Sequence, residues 1–134
     1  MKILVAEDDF ASRNFLHLFL RKYGEVDVAV NGAEALNVFK AALKERDPYH
    51  YVFMDIMMPE MNGLDAAREI RNIEREFNVI PAEESVIIMA TALSDVKTVF
   101  EAFNKSEVTD YITKPITVEN LTAKLKEIGL IENE

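Results

Sequence analysis

Asp55 closes the apolar run Tyr51-Val-Phe-Met and is followed at once by the loop formers Pro59 and Asn62-Gly63. That run is too short, and too rich in β-branched and aromatic residues, for a helix, so Asp55 stands at the carboxyl end of a buried strand. In open α/β sheets ligands bind at this edge. Other polar groups recur at equivalent places: Asp8 and Asp9 after Ile3 to Ala6, Thr91 after Val86 to Ala90, and Lys114 after Tyr111-Ile112. Singly, each has a plain reading. Asp55 could bond loop amides, Asp8 and Asp9 could cap a helix, Thr91 could bond its own loop, and Lys114 could be solvated. Gathered on one edge they would do more. Two like charges 4 Å apart repel by about 4 kcal/mol at an effective dielectric near 20, so three carboxylates need more cation than one lysine supplies. A divalent ion with oxygen ligands fits, and Mg²⁺ fits best because it needs few carboxylates, keeps waters and accepts a phosphoryl oxygen. No glycine-spaced calcium loop is present.

The elements that would bring these residues together alternate along the chain. After the first strand, Phe15, Leu16, Phe19 and Leu20 follow helical spacing up to Tyr23-Gly24. Val26, Val28 and Val30 alternate with Asp27 and Ala29, which marks a strand with one less apolar face at a sheet edge. Ala35, Leu36, Phe39, Ala42 and Leu43 form the next stripe, ended by Asp47-Pro48. Beyond Gly63 a third helix turns Ala67, Ile70, Ile73 and Phe77 inward. It turns Arg68, Glu69, Arg71, Glu74 and Arg75 outward as a solvated, charge-laced face. A polar connector from Asn78 to Ser85 leads to the fourth strand. Val96, Val99, Phe100 and Phe103 then mark a helix with Ser94 as N-cap. After the short strand at Tyr111-Ile112, Thr117 caps a last helix with Val118, Leu121, Leu125 and Ile128 inward, and Gly129 ends it. Five βα units in line predict a doubly wound α/β fold with five parallel strands and five helices. The order 2-1-3-4-5 places the three most apolar strands centrally.

Composition narrows the function. With 134 residues and 49% hydrophobic content the chain suits a single domain, 1–134, with a real core. Acids outnumber bases 24 to 15, so nucleic acid and anionic membrane are excluded as direct partners on this reading. There is no cysteine, hence no disulfide and no thiolate metal site. The amino terminus lacks the h-region of a signal peptide, and no run approaches the ~20 apolar residues of a membrane span. The expected location is the cytoplasm.

The ordered set Glu7-Asp8-Asp9, Met54-Asp55-Ile56-Met57-Met58-Pro59-Glu60-Met61-Asn62-Gly63, Ala90-Thr91-Ala92 and Asp110-Tyr111-Ile112-Thr113-Lys114-Pro115 resembles the receiver domains of two-component response regulators. The match runs the length of the chain. It implies a flavodoxin-like fold, whose strand order in this family is also 2-1-3-4-5, and a single-domain phosphorylation switch. That switch would take a phosphoryl group from a histidine kinase or histidine phosphotransfer protein onto Asp55 and signal to an unidentified protein. Asp9, Asp55 and the Met57 backbone carbonyl would bind Mg²⁺ directly, with Asp8 acting through water. Lys114 would pair with the phosphoryl oxygens, the Thr91 hydroxyl would turn to them, and Tyr111 would swing inward. A cis Lys114-Pro115 bond is implied too. Catalysis would extend only to the protein's own phosphorylation and dephosphorylation, so it would not be an enzyme in the ordinary sense. Where the family often has Gly-Ala before the fifth strand, this chain has Glu107-Val108, which leaves Lys105 to Thr109 unassigned. The connector Asn78–Ser85 is longer than in the shortest chemotaxis-type members and is similar to that of receivers in hybrid kinases.

Other chemistries fit less well. An aspartate-nucleophile phosphatase wants a second acid two residues after the nucleophile, where Met57 stands. A flavin carrier wants a Ser/Thr/Gly loop after the first strand, where Glu7-Asp8-Asp9 would repel phosphate. A scaffold that is never phosphorylated leaves the acid, hydroxyl and lysine set without purpose. His17 and His50 lack partnering motifs, and Met54, Met57, Met58 and Met61 suit core filling and loop packing. The expected output face comprises the fourth helix, fifth strand and last helix, exposing Lys97, Thr98, Glu101, Asn104, Asn120 and Lys124.

Overall fold

The computed structural model describes residues 1–105 and 107–132. Five strands, β1 (Lys2–Ala6), β2 (Glu25–Ala29), β3 (Tyr51–Asp55), β4 (Val86–Thr91) and β5 (Asp110–Thr113), form one parallel sheet in the order β2-β1-β3-β4-β5. Between and after them run α1 (Phe10–Leu20), α2 (Gly32–Lys44), α3 (Gly63–Glu76), α4 (Val96–Asn104) and α5 (Val118–Glu127), with short 3-10 turns at Pro81–Glu83 and Leu93–Asp95.

The period of two along each strand divides the apolar residues between two layers. Leu4, Ala6, Val52, Met54, Ile87 and Met89 meet the helices through Phe39, Ile70 and Val99 on one side. Ile3, Val5, Phe53, Ile88, Ala90 and Ile112 meet Leu16, Leu20, Leu121 and Leu125 on the other. Burial of a large aliphatic side chain contributes about 1.5–3 kcal/mol, so strands covered on both faces become the centre of the sheet. β1 is buried at every residue, whereas β2 at the edge buries only Ala29. Of the alternating valines, Val26 packs partly buried against the core, whereas Val28 in β2 and Val30 just beyond it are exposed.

Several helical expectations change. Ser94 does not cap α4, because the 3-10 turn carries the chain past it and Asp95 takes the cap position without a side-chain bond. Phe100 and Phe103 stack on each other at the surface, while Val99 and Ala102 hold α4 to the core. Val118 is exposed, and Thr117 caps α5 through a reciprocal box with Asn120. Among the residues left unassigned before β5, Val108 is buried and Thr109 N donates to Ile87 O at 2.9 Å; Ser106 lies outside the described residues.

The largest departure is on α3. Arg71, 6% exposed, and Glu74, 1% exposed, point inward instead of into solvent. Arg71 Nη1 donates to Glu74 Oε1 at 2.7 Å and to Ser85 O at 2.9 Å, and Glu74 Oε2 accepts from Ser85 N at 2.8 Å. Arg71 Nη2 donates to Thr109 Oγ1 at 3.3 Å, and that oxygen accepts from Ile87 N at 3.0 Å. An ionic pair thus fastens α3 to the leading ends of β4 and β5. Removing one partner of such a pair strands the other charge. Glu74→Ala is expected to cost about 3–5 kcal/mol in urea unfolding, against under ~0.5 kcal/mol for Glu69→Ala on the exposed face. Equal losses from the two would mean that the pair is not what holds α3.

Candidate functional site

The carboxyl edge of the sheet gathers the ends of β1, β3, β4 and β5. Glu7 follows β1 directly, and its amide donates to Ala29 O at 3.0 Å, which seats it behind the strand end. Arg13 Nη1 fastens the next turn by donating to Glu7 O at 3.0 Å and Asp8 O at 3.3 Å. Asp55 ends β3 and is 4% exposed. The chain leaving it needs Gly63: its amide donates to Ile56 O at 2.9 Å, and a Cβ there would collide with Asp55 O. Thr91 is fully buried at the end of β4, its hydroxyl donating to Ala92 O at 3.2 Å. Lys114 N donates to Thr91 O at 2.8 Å, and the Lys114-Pro115 bond is cis.

These segments converge on a few oxygens. Lys114 Nζ lies 3.0 Å from Asp55 Oδ1 and 3.7 Å from Glu7 Oε1, and Met57 N donates to Asp55 Oδ1 at 3.3 Å. Glu7, Asp8 and Asp55 each offer a carboxylate oxygen, all within 4.8 Å of one another. Hard oxygen donors packed this closely, two buried and one exposed, suit a small divalent cation.

Asp9 is a correction. It is not gathered with Asp8 and Asp55; its Oδ2 accepts from Ser12 N at 2.9 Å as the N-cap of α1. The bond to Ser12 holds its pKa below the ordinary 3.8. Glu7, absent from the expected ligand set, is the acid that lies with Asp8 and Asp55. Its signal lay in the spacing, since a cap reaches the amide three residues on and Asp9-x-x-Ser12 satisfies that geometry. Tyr111 is half-buried with Lys124 Nζ 5.8 Å from its ring centre, apart from the acid cluster. Asn120 and Lys124 are partly buried, whereas Lys97, Thr98, Glu101 and Asn104 are exposed as expected. His17 is partly buried; His50 is exposed, its Nδ1 accepting from Lys2 N at 3.1 Å.

Electrostatics follow from burial. Desolvation first, then the charge of Asp55 and a hydrogen bond with it, push Glu7 up from 4.5 to about 8 against the lowering effect of Lys114. Burial works against the charged form of Lys114, yet its hydrogen bond to Asp55 and the charges of Asp55 and Glu7 together hold its pKa above the ordinary value.

Known proteins resemble this chain in sequence and fold. The response regulator receiver domain is the family whose sequence profile matches, over residues 3–126. The chain is 34% identical to the regulatory protein VanRB of Enterococcus faecalis, over all of this chain and 56% of that protein. Among solved structures it is similar to the receiver domain of the Arabidopsis thaliana histidine kinase CKI1 complexed with Mg²⁺. The TM-score is 0.79 at 29% identity, covering 95% of this chain and 90% of that one. It is likewise similar to a complex of the Saccharomyces cerevisiae histidine phosphotransfer protein Ypd1 with the receiver domain of Ssk1. There the TM-score is 0.76 at 29% identity, covering 95% of this chain and 87% of the matched one. The chain spans 8% of the CKI1 kinase and 21% of the SSK1 protein, well under two thirds of those curated relatives.

The raised Glu7 pKa makes metal-free stability depend on pH. The folded protein binds a proton there that the unfolded chain releases near 4.5, so this stabilisation is full below about 4.5 and is lost as pH rises to about 8. Urea melts without metal should show stability falling with pH inside that window, at no more than ~1.4 kcal/mol per pH unit from this one group. Glu7→Gln should flatten the slope; an unchanged slope in that variant would assign the dependence elsewhere.

Proposed function

This chain belongs to the response regulator receiver domain family, and we propose that residues 1–134 act as a phosphorylation switch with Asp55 as phosphoacceptor. The observation that carries this reading is the Lys114 ammonium 3.0 Å from a buried strand-end carboxylate, beside Glu7 and Asp8. In the reaction an Asp55 carboxylate oxygen attacks the phosphorus of a phosphohistidine. The P–N bond breaks, and the imidazole nitrogen leaves with the electron pair. Phosphoryl transfer needs placement and charge neutralisation more than covalent help, and both are supplied locally. Met57 N holds one Asp55 oxygen, leaving the other for attack, and Lys114 passes from Asp55 to the incoming phosphoryl oxygens.

Glu7, Asp8 and Asp55 would hold Mg²⁺, with the Met57 backbone carbonyl completing the protein ligands. A bound ion would neutralise phosphoryl oxygens during transfer. Glu7 must lose its proton to serve, so ion affinity should rise with pH towards about 8. The buried Thr91 hydroxyl, released from Ala92 O, would turn to the new dianion, and Tyr111 would move into the space it leaves. This couples the site to the face of α4, β5 and α5, where a protein partner would sense the change through a free-energy difference of ~1–3 kcal/mol. The donor class is a histidine kinase or a histidine phosphotransfer protein, and no activity beyond the domain's own phosphorylation and dephosphorylation is invoked. No helix among the described residues is long and apolar enough to cross a membrane. The excess of acids supports a protein partner over nucleic acid or anionic lipid, and the lack of cysteine fits a reducing, cytoplasmic setting.

With Mg²⁺ and acetyl phosphate, intact-mass spectrometry should show one added phosphoryl group, and none on Asp55→Asn; labelling of that variant would remove the assignment. Lifetime is set by the water that attacks phosphorus. Met57 and Leu93, 70% and 77% exposed, stand two residues beyond Asp55 and Thr91, and neither side chain can hydrogen-bond that water. A Met57→Asn, Leu93→Glu double variant should release phosphate about tenfold faster, a barrier lower by ~1.4 kcal/mol. Release at the wild-type rate would mean that water approaches by another route.

A further inference from the structure

We propose that the sheet edge opposite Asp55 carries a second site, a hollow between α3 and the residues Glu84, Lys105 and Glu107, that binds a compact oxyanion of phosphate size. Arg68, Arg71, Arg75 and Lys105 line this hollow of about 210 Å³ together with Glu84 and Glu107. Four cations against two carboxylates leave a positive site in a chain of net charge -9. Internal pairing consumes only part of it. Arg68 Nε donates to Glu107 Oε2 at 2.9 Å, and Arg71 is held by Glu74. Neither Arg75 nor Lys105 has a carboxylate within 4.0 Å among the described residues, and Arg75 spends one nitrogen on neighbouring Asn72.

The second observation is independent of that count. Arg71, 6% exposed, lines the hollow, and its Nε–H is buried without an acceptor, alone among the side-chain nitrogens and oxygens of the described residues. Folded proteins rarely leave such a donor unpaired unless water or an ion completes it. Arginine forks fit the paired oxygens of phosphate, and lysine adds a point charge. The size of the hollow and the acids on its rim select a compact anion, since an extended polyanion would meet Glu84 and Glu107. A strand of five residues separates this edge from Asp55, on the order of 15 Å, so the site is distinct from the phosphoacceptor. It touches the approach to β5, the strand that carries Tyr111.

The test is a titration of the metal-free protein with inorganic phosphate against chloride at constant ionic strength. Nitrogen-15 NMR would follow the Arg71 Nε–Hε signal and the amides of Lys105 and Glu107. Saturable shifts sharing one Kd are expected, with at least tenfold weaker binding in the Arg75→Gln, Lys105→Gln double variant. That variant should still take a phosphoryl group from acetyl phosphate with Mg²⁺, which shows that it is folded. Non-saturating shifts, an unchanged Kd in the double variant, or shifts centred on Asp55 would each overturn the proposal.

Discussion

The contact between Lys114 and Asp55 is the interaction on which the rest of this structure depends. Three carboxylates crowd one sheet edge, and a single ammonium reaches two of them, at 3.0 Å and 3.7 Å. The carboxylate oxygens lie within 4.8 Å of one another, where like charges repel by several kcal/mol at an effective dielectric near 20. The resting protein relieves this by holding a proton on Glu7, whose pKa lies at about 8. A proton and one lysine thus offset only two of the three carboxylate charges, where a divalent ion would serve better. That deficit gives the edge its appetite for positive charge, and a dianionic phosphoryl group on Asp55 would redistribute the same charges. Local electrostatics and switching are one problem here.

The sheet supplies the rigidity this crowding requires. β1, β3 and β4 are buried along nearly all their length, so their ends cannot drift apart to relieve the repulsion. Gly63 lets α3 start against the backbone of Asp55, and Arg13 ties the turn after β1. Across the sheet, the Arg71–Glu74 pair anchors α3 to β4 and β5 at their leading ends. One edge is held under charge strain while the opposite edge is bolted.

Strand order, five helices and the gathering of Asp8, Asp55, Thr91 and Lys114 were legible in the sequence because they rest on long apolar runs and on a motif set spread along the chain. What was not legible had a different origin. Choosing Asp9 over Glu7 ignored that α1 consumes one carboxylate for its own N-terminus; among three adjacent acids only the cap spacing to Ser12 separates them. The buried Arg71 and Glu74 look like any i,i+3 surface pair, because their partners Ser85 and Thr109 lie in segments whose placement no helical pattern encodes. Phe100 and Phe103 matched an apolar stripe by residue type, but a helix of nine residues over one sheet edge needs only Val99 and Ala102 to anchor it.

That last mismatch bears on how a signal could leave the domain. An aromatic pair stacked at the surface of α4 is not needed for its packing, and large exposed apolar groups on a folded domain favour contact with another molecule. α4 joins the core through Val99 and Ala102, as many buried residues as α1 or α5 has, and is flanked by a 3-10 turn carrying exposed Leu93. It begins at Val96, directly after the turn Leu93–Asp95 that starts two residues beyond Thr91, so a change in that hydroxyl's partner would act on this helix. The exposed aromatic pair that departs from the expected stripe is therefore the part of α4 a partner molecule would meet.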